Sequence, residues 1–194
     1  MVLDDAAICY IDMYRNLINE DDEFCGVLVY NYYNNCYEDE YEPIRGETVV
    51  IDDKPVKNCT VPYYRDIIWH SHPITSKSYP SGIDIYKVIE YSSIKVSIIF
   101  TNWGVWQIRS FYDDINNINK PPNKKDTIYK LDKYGHELYE TLERGKKMFL
   151  DISDIQIIND YIDKIQRKYN SNIYIQFDRW DDVYNGMYII RRNL

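Results

Sequence analysis

Histidine is scarce in this chain, with three among 194 residues. Positive charge is also in short supply: 23 Lys and Arg stand against 31 Asp and Glu, leaving a net charge of −8. That balance argues against a general nucleic-acid binder, whose affinity rests on clustered cations. The local run from Lys120 to Lys125 sits beside Pro121-Pro122 and reads as a solvated loop. No stretch approaches ~18 uninterrupted apolar residues, so no membrane-spanning helix is expected. The first residues, MVLDDAAICYIDMYRN, carry acids where a secretory leader needs basic residues, which points to an intracellular, cytoplasmic chain. Cysteines 9, 25, 36 and 59 form no CxxC pair, which removes zinc ribbons and the nucleobase-deaminase signature. Cys9 falls on a predicted helix and Cys25 on a predicted strand. Both are expected to be buried rather than bridged, in a reducing compartment.

What is present is an ordinary globular composition, 45% hydrophobic and 28% charged, with 21 tyrosines. Tyrosine suits a core and a wet rim equally, so its abundance carries little functional information. The apolar spacing of Ala7, Tyr10, Ile11, Tyr14, Leu17 and Ile18 predicts an amphipathic helix over 4–19, with Asp4 and Asp5 at its positive end. FCGVLVYNYY then reads as a central strand, followed by an acidic, Tyr-rich surface excursion over 34–46. Strands are expected at 48–51 and 65–70, a helix from Ser81 to about Tyr91, and two strands in IKVSIIFT and GVWQIRSFY. After a loop over 113–127 come two helical stretches, the second with Ser153 and Gln156 at capping-box spacing, and last strands in IYIQFD and MYIIRR. There is no internal repeat. These elements predict an α/β (α+β) sandwich, a mixed β-sheet flanked by helices. Residues 1–112 would form its core, and residues 128–194 a helical and strand extension packed on it.

The informative stretch is IIWHSHPITSKSYPSGIDIYKVI, residues 67–89. If the strand carries through His72, then His70 and His72 project from one face, because strand side chains alternate. Ser71 between them points the other way and is not assigned as a nucleophile. Ser81 takes the N-cap position of the next helix, and Asp84 lies in its first turn, where a carboxylate can be directed back at the strand end. Ser81 and Asp84 alone would be an ordinary capping box. Joined to the histidine pair they offer two nitrogens and one oxygen. Three protein ligands with an open fourth position is the catalytic zinc pattern, as opposed to the closed structural one. His136, in KYGHELYE, is expected on the surface.

HSHP followed by PSGID resembles the signature of the JAMM (MPN+ or JAB) zinc metalloproteases, HxHP, about seven residues, then SxxD. That family also carries a glutamate at the start of the strand after its first helix. DDEFCGVLVYN at residues 21–31 places Glu23 there, with Cys25-Gly26 behind it. The resemblance spans residues 4–112, in the family's order of elements. It implies an MPN/JAB-like fold in which His70, His72 and Asp84 hold one zinc ion per chain. Glu23 would be general base and proton donor, and Ser81 an oxyanion donor. It also implies an isopeptidase acting on conjugates of ubiquitin or a ubiquitin-like protein, with segments 34–46 and 74–80 as candidates to line the substrate groove. Two other roles fit the family, a catalytically silent MPN scaffold and a hydrolase of a non-ubiquitin peptide or small amide.

Overall fold

The computed structural model describes residues 6–51, 54–61, 64–91, 93–110, 123–143, 150–169 and 173–184. The chain opens with helix α1 (Ile11–Leu17), strand β1 (Phe24–Asn31), and short strands β2 (Cys36–Asp39) and β3 (Ile44–Arg45). Next come the hairpin β4 (Glu47–Ile51) and β5 (Lys54–Asn58), strand β6 (Ile67–Ser71), helix α2 (Gly82–Glu90), and strands β7 (Val96–Phe100) and β8 (Gly104–Ser110). Helices α3 (Lys124–Glu143) and α4 (Ile152–Tyr169), strand β9 (Ile173–Arg179) and the short helix α5 (Trp180–Asp182) complete it. The main sheet runs β2-β1-β6-β7-β8-β9, with β3 also on β1, and β4 and β5 form a separate pair. Only the β6–β7 pairing is parallel among these strands. A parallel neighbour requires a crossover, and α2 supplies it. The mixed α/β class expected from the sequence is what forms.

Alternation along β6 assigns its faces. Ile67 and Trp69 join Tyr14, Ile98 and Phe100 in a core beneath α1, while Ile68 joins Ile85, Val88, Leu131 and Ile158 beneath α2, α3 and α4. On the α1 side the Tyr14 hydroxyl and the Trp69 indole N–H both donate to the half-buried Asp39, at 2.7 and 2.6 Å, so both its oxygens are satisfied. Within the excursion expected over 34–46, residues Cys36–Asp39 are therefore strand. Tyr37 is fully buried on β2, and Glu40 pairs with Arg65.

Four other expectations are corrected. Helix α1 begins at Ile11, because Tyr10 takes a left-handed conformation (φ 53°) and Ala7 and Cys9 bond to Tyr37 instead, strand-like. Asp4 and Asp5 lie outside the described residues, as do 113–122 and MYIIRR. Within the expected loop 113–127, the chain is already helical from Lys124. Helix α4 is capped by Asp151, whose side chain accepts from the Ser153 and Asp154 N–H groups, so the Ser153/Gln156 box is not used. The cysteines are bridged, Cys9 to Cys36 and Cys25 to Cys59. The extended segment that replaces the first helical turns lays Cys9 against β2, and the end of β5 brings Cys59 to the face of β1 that carries Cys25. Bridged cysteines remove the support that a reduced set lent to a reducing compartment. No helix among the described residues is long and apolar enough to cross a membrane.

The C-terminal elements are built into the same body. β9 pairs with β8 along its whole length, from Gly104↔Arg179 to Ser110↔Ile173, and α3 packs on α2. The two helices come close at Gly82, where a Cβ would run into the Ile128 carbonyl and the Asp132 side chain. Gly82→Ala therefore destabilises the protein by about 1–3 kcal/mol, the range for overpacking. Chemical denaturation checks this, and a wild-type midpoint in the variant would contradict the close helix contact.

Candidate metal centre

The chemistry-bearing residues converge where β6 ends and α2 begins, at the carboxyl end of the parallel pair. This is the position where open α/β sheets leave a crevice. β6 delivers His70 opposite Cys25 of β1 and Ile99 of β7. Past the strand, the His72 N–H still bonds to the Phe100 carbonyl at 2.8 Å, so the extended course holds for one more residue and both imidazoles share a face. Pro80 precedes the cap, and Ser81 (φ −70°, ψ 162°) opens α2 with a reciprocal capping box: its hydroxyl accepts from the Asp84 N–H, and Asp84 accepts from the Ser81 N–H. The cap that starts the helix thus also points a carboxylate at the histidines.

Ligand-atom spacing decides whether a metal fits. His70 Nε2 lies 3.1 Å from His72 Nε2 and 3.4 Å from Asp84 Oδ1, and His72 Nε2 lies 3.5 Å from Asp84 Oδ2. Tetrahedral zinc with ~2.0–2.1 Å arms separates its ligand atoms by ~3.3 Å, within the observed spread. The tautomer of His72 is set as well. Its Nδ1 lies 2.8 Å from the Lys77 carbonyl, which can only accept, so Nδ1 carries the proton and Nε2 keeps its lone pair for the site. His72 and Asp84 are buried, at 5% and 7% exposure. These three are the described residues whose donor atoms group closely enough to hold a metal ion.

The electrostatics agree with a site designed around positive charge. Burial pushes the Asp84 carboxyl up, but the charge and hydrogen bonds of His70 and His72 overcome it and hold the group well below the usual carboxylate range. For His72, burial opposes protonation, while hydrogen bonding and charge from Asp84, the charge of Glu23 and the Lys77 carbonyl raise it above its ordinary value. Glu23 is raised, first by burial, against the pull of both histidines. It lines the same cleft of about 470 Å³ as the three candidate ligands.

Ser81 does more than cap α2. Its hydroxyl donates to Asp84 Oδ2 at 2.6 Å, so its proton is spent on the ligand carboxylate, and service to an oxyanion requires the hydroxyl to rotate away. Ser71 points to the opposite face, as alternation requires, and His136 is an exposed side chain beside Glu140. Of the expected groove segments, Ser76 and Lys77 line the cleft. Its other wall is Asn58, Cys59 and Val61, with 34–46 taking no part. Two contributors have no readable signal in the sequence. Asp132 of α3 accepts from the Gly82 N–H at 2.8 Å and so steadies the first turn of α2, and Lys77 acts through its main chain. Comparison with family models, with characterised proteins and with solved structures returned no match to this chain.

The opposed shifts of Asp84 and His72 define a pH window for the zinc-free protein. A depressed carboxyl contributes stability that is present above its unfolded pKa of about 3.9 and lost as pH falls through the folded value. A raised imidazole contributes stability that is complete below about 6.5 and lost as pH rises through its folded value. Both act together between about pH 4 and 6.5. In chelator-treated protein, Asp84→Asn lowers the thermal midpoint most inside that window and less on either side. A pH-independent difference would contradict the coupling.

Proposed function

We propose that this chain is a zinc-dependent metallopeptidase of the JAMM type, hydrolysing an isopeptide or peptide bond to ubiquitin or a ubiquitin-like protein. The observation that carries the reading is the joint placement of two imidazole nitrogens and a carboxylate at tetrahedral-zinc spacing, with a second, protonatable carboxylate in the same cleft. The order of motifs adds to it, since Glu23, HSHP and SGID stand in the order of that family's signature.

Zinc bound by His70, His72 and Asp84 supplies Lewis acidity at neutral pH. The remaining work belongs to the chain. Glu23, raised by burial, takes a proton from the attacking water and returns it to the departing amine. The balance is one water consumed, one C–N bond broken, and a carboxylate and an amine released. The Lys77 carbonyl, accepting from His72 Nδ1–H, keeps His72 in the ligating tautomer. Ser81 braces Asp84 in the resting site, and on turning its hydroxyl toward the carbonyl oxygen it becomes a donor of the kind worth on the order of 10²–10³ in rate. Lys77, Lys87 and Ile83 at the cleft mouth give a substrate both charged and apolar contacts.

The test is incubation of the zinc-loaded protein with ubiquitin chains of defined linkage, with and without a chelator, beside Glu23→Gln. The expected result is cleavage abolished by the chelator and reduced about 10²–10⁴-fold in the variant, which retains its zinc. The variant is also at least as stable as wild type when zinc-free. A raised carboxyl opposes folding above its unfolded pKa of about 4.3, and glutamine removes that opposition. Full activity in Glu23→Gln would place the base elsewhere.

A further inference from the structure

The pairing of β1 with β6 ends at His70 on β6 and at Cys25 on β1, two residues after Glu23. Its register runs Val27↔Ile68, Gly26↔Trp69, Cys25↔His70 and stops. At the next position a side chain replaces the missing rung: the Phe24 N–H donates to Ser71 Oγ at 2.9 Å. Ser71 is fully buried, lies between the two metal-ligand candidates, and reaches through the sheet's far face. Phe24 follows Glu23 directly. One hydroxyl therefore ties the strand that carries both histidines to the residue adjoining the proposed base. On its other side the Glu23 carbonyl accepts from the Gly46 N–H at 2.7 Å, and Phe24 is in register with Arg45 of β3. Glu23 is thus held between two neighbours, and the Ser71 tether joins the adjoining Phe24 to the ligand strand at this level.

We infer that Ser71 is a positioning residue, setting the distance between the Glu23 carboxylate and the His70/His72 pair without touching substrate or metal. The inference rests on the metallopeptidase reading for its catalytic consequence. Its structural half, the tether itself, does not. A backbone N–H at the end of a strand frays unless it is satisfied, and a base displaced by about 1 Å loses on the order of 10²-fold in rate. Serine suits the position for a physical reason: its hydroxyl reaches the Phe24 amide from a fully buried seat against β1.

Amide hydrogen exchange at Phe24, zinc affinity and steady-state kinetics on a ubiquitin dimer are measured for wild type, Ser71→Ala and Ser71→Thr. The expected result for Ser71→Ala is faster exchange at Phe24 with Val27 unchanged, zinc affinity and KM unchanged, and kcat lower by on the order of 10–10²-fold. Ser71→Thr, which keeps the hydroxyl, restores both the protection and kcat. Unchanged Phe24 exchange, or wild-type kcat in Ser71→Ala, overturns the positioning role. So does a Ser71→Ala protein whose loss is entirely in zinc affinity. Failure of the metallopeptidase reading looks different: the wild type itself shows no zinc-dependent cleavage, while Phe24 exchange still responds to Ser71. That result keeps the tether and removes its catalytic meaning.

Discussion

His70 Nε2 and His72 Nε2 lie 3.1 Å apart, and each is within 3.5 Å of the Asp84 carboxylate in a largely buried pocket. Such a knot of polar atoms holds only if positive charge sits within it, a shared proton in the free protein or a metal ion in the loaded one. The surrounding structure serves that requirement. The parallel β6–β7 pair forces a crossover, the crossover places a helix N-terminus over the strand end, and the capping box aims its acid at the imidazoles. Asp132 then reaches from α3 to the Gly82 amide, so the C-terminal helices help to hold the ligand-bearing turn in place.

The site was more legible than its frame. His70, His72, Ser81 and Asp84 were readable because alternation on a strand and the first turn of a helix are local rules that tertiary contacts seldom override, whereas Glu23 came from the family resemblance. Those rules also put Ser71 on the opposite face. They were silent on what it would meet there, since its partner lies 47 positions away on β1. The reading of Ser81 as an oxyanion donor came from family resemblance. The structure gives its hydroxyl a nearer partner in Asp84, and a motif cannot reveal which acceptor a rotatable hydroxyl prefers.

The failures at the start of α1, in the acidic run and at the cysteines share one cause, non-local pairing. Residues 6–9 have the apolar period of a helix, yet extended pairing with Tyr37 captures them and, with it, delivers Cys9 to Cys36. Burial of Tyr37 beneath α1 likewise turned part of an acidic surface run into an edge strand whose Asp39 carboxylate holds Tyr14 and Trp69. The Cys25–Cys59 bridge has a consequence for the site. It fixes the end of β5 beside the cleft, so Asn58 and Cys59 form a wall where the resemblance suggested segment 34–46. Charge and periodicity describe what a segment prefers alone, and these segments are decided by their partners.

The central claim is that the two imidazoles and Asp84 are a zinc site and not a buried hydrogen-bond cluster. Competition with a chromophoric chelator at neutral pH, on wild type and His72→Ala, tests it most directly. One tightly held zinc per chain in the wild type, lost in His72→Ala, is the predicted result. A wild type that takes up no zinc, or a variant that binds it equally well, would contradict the account.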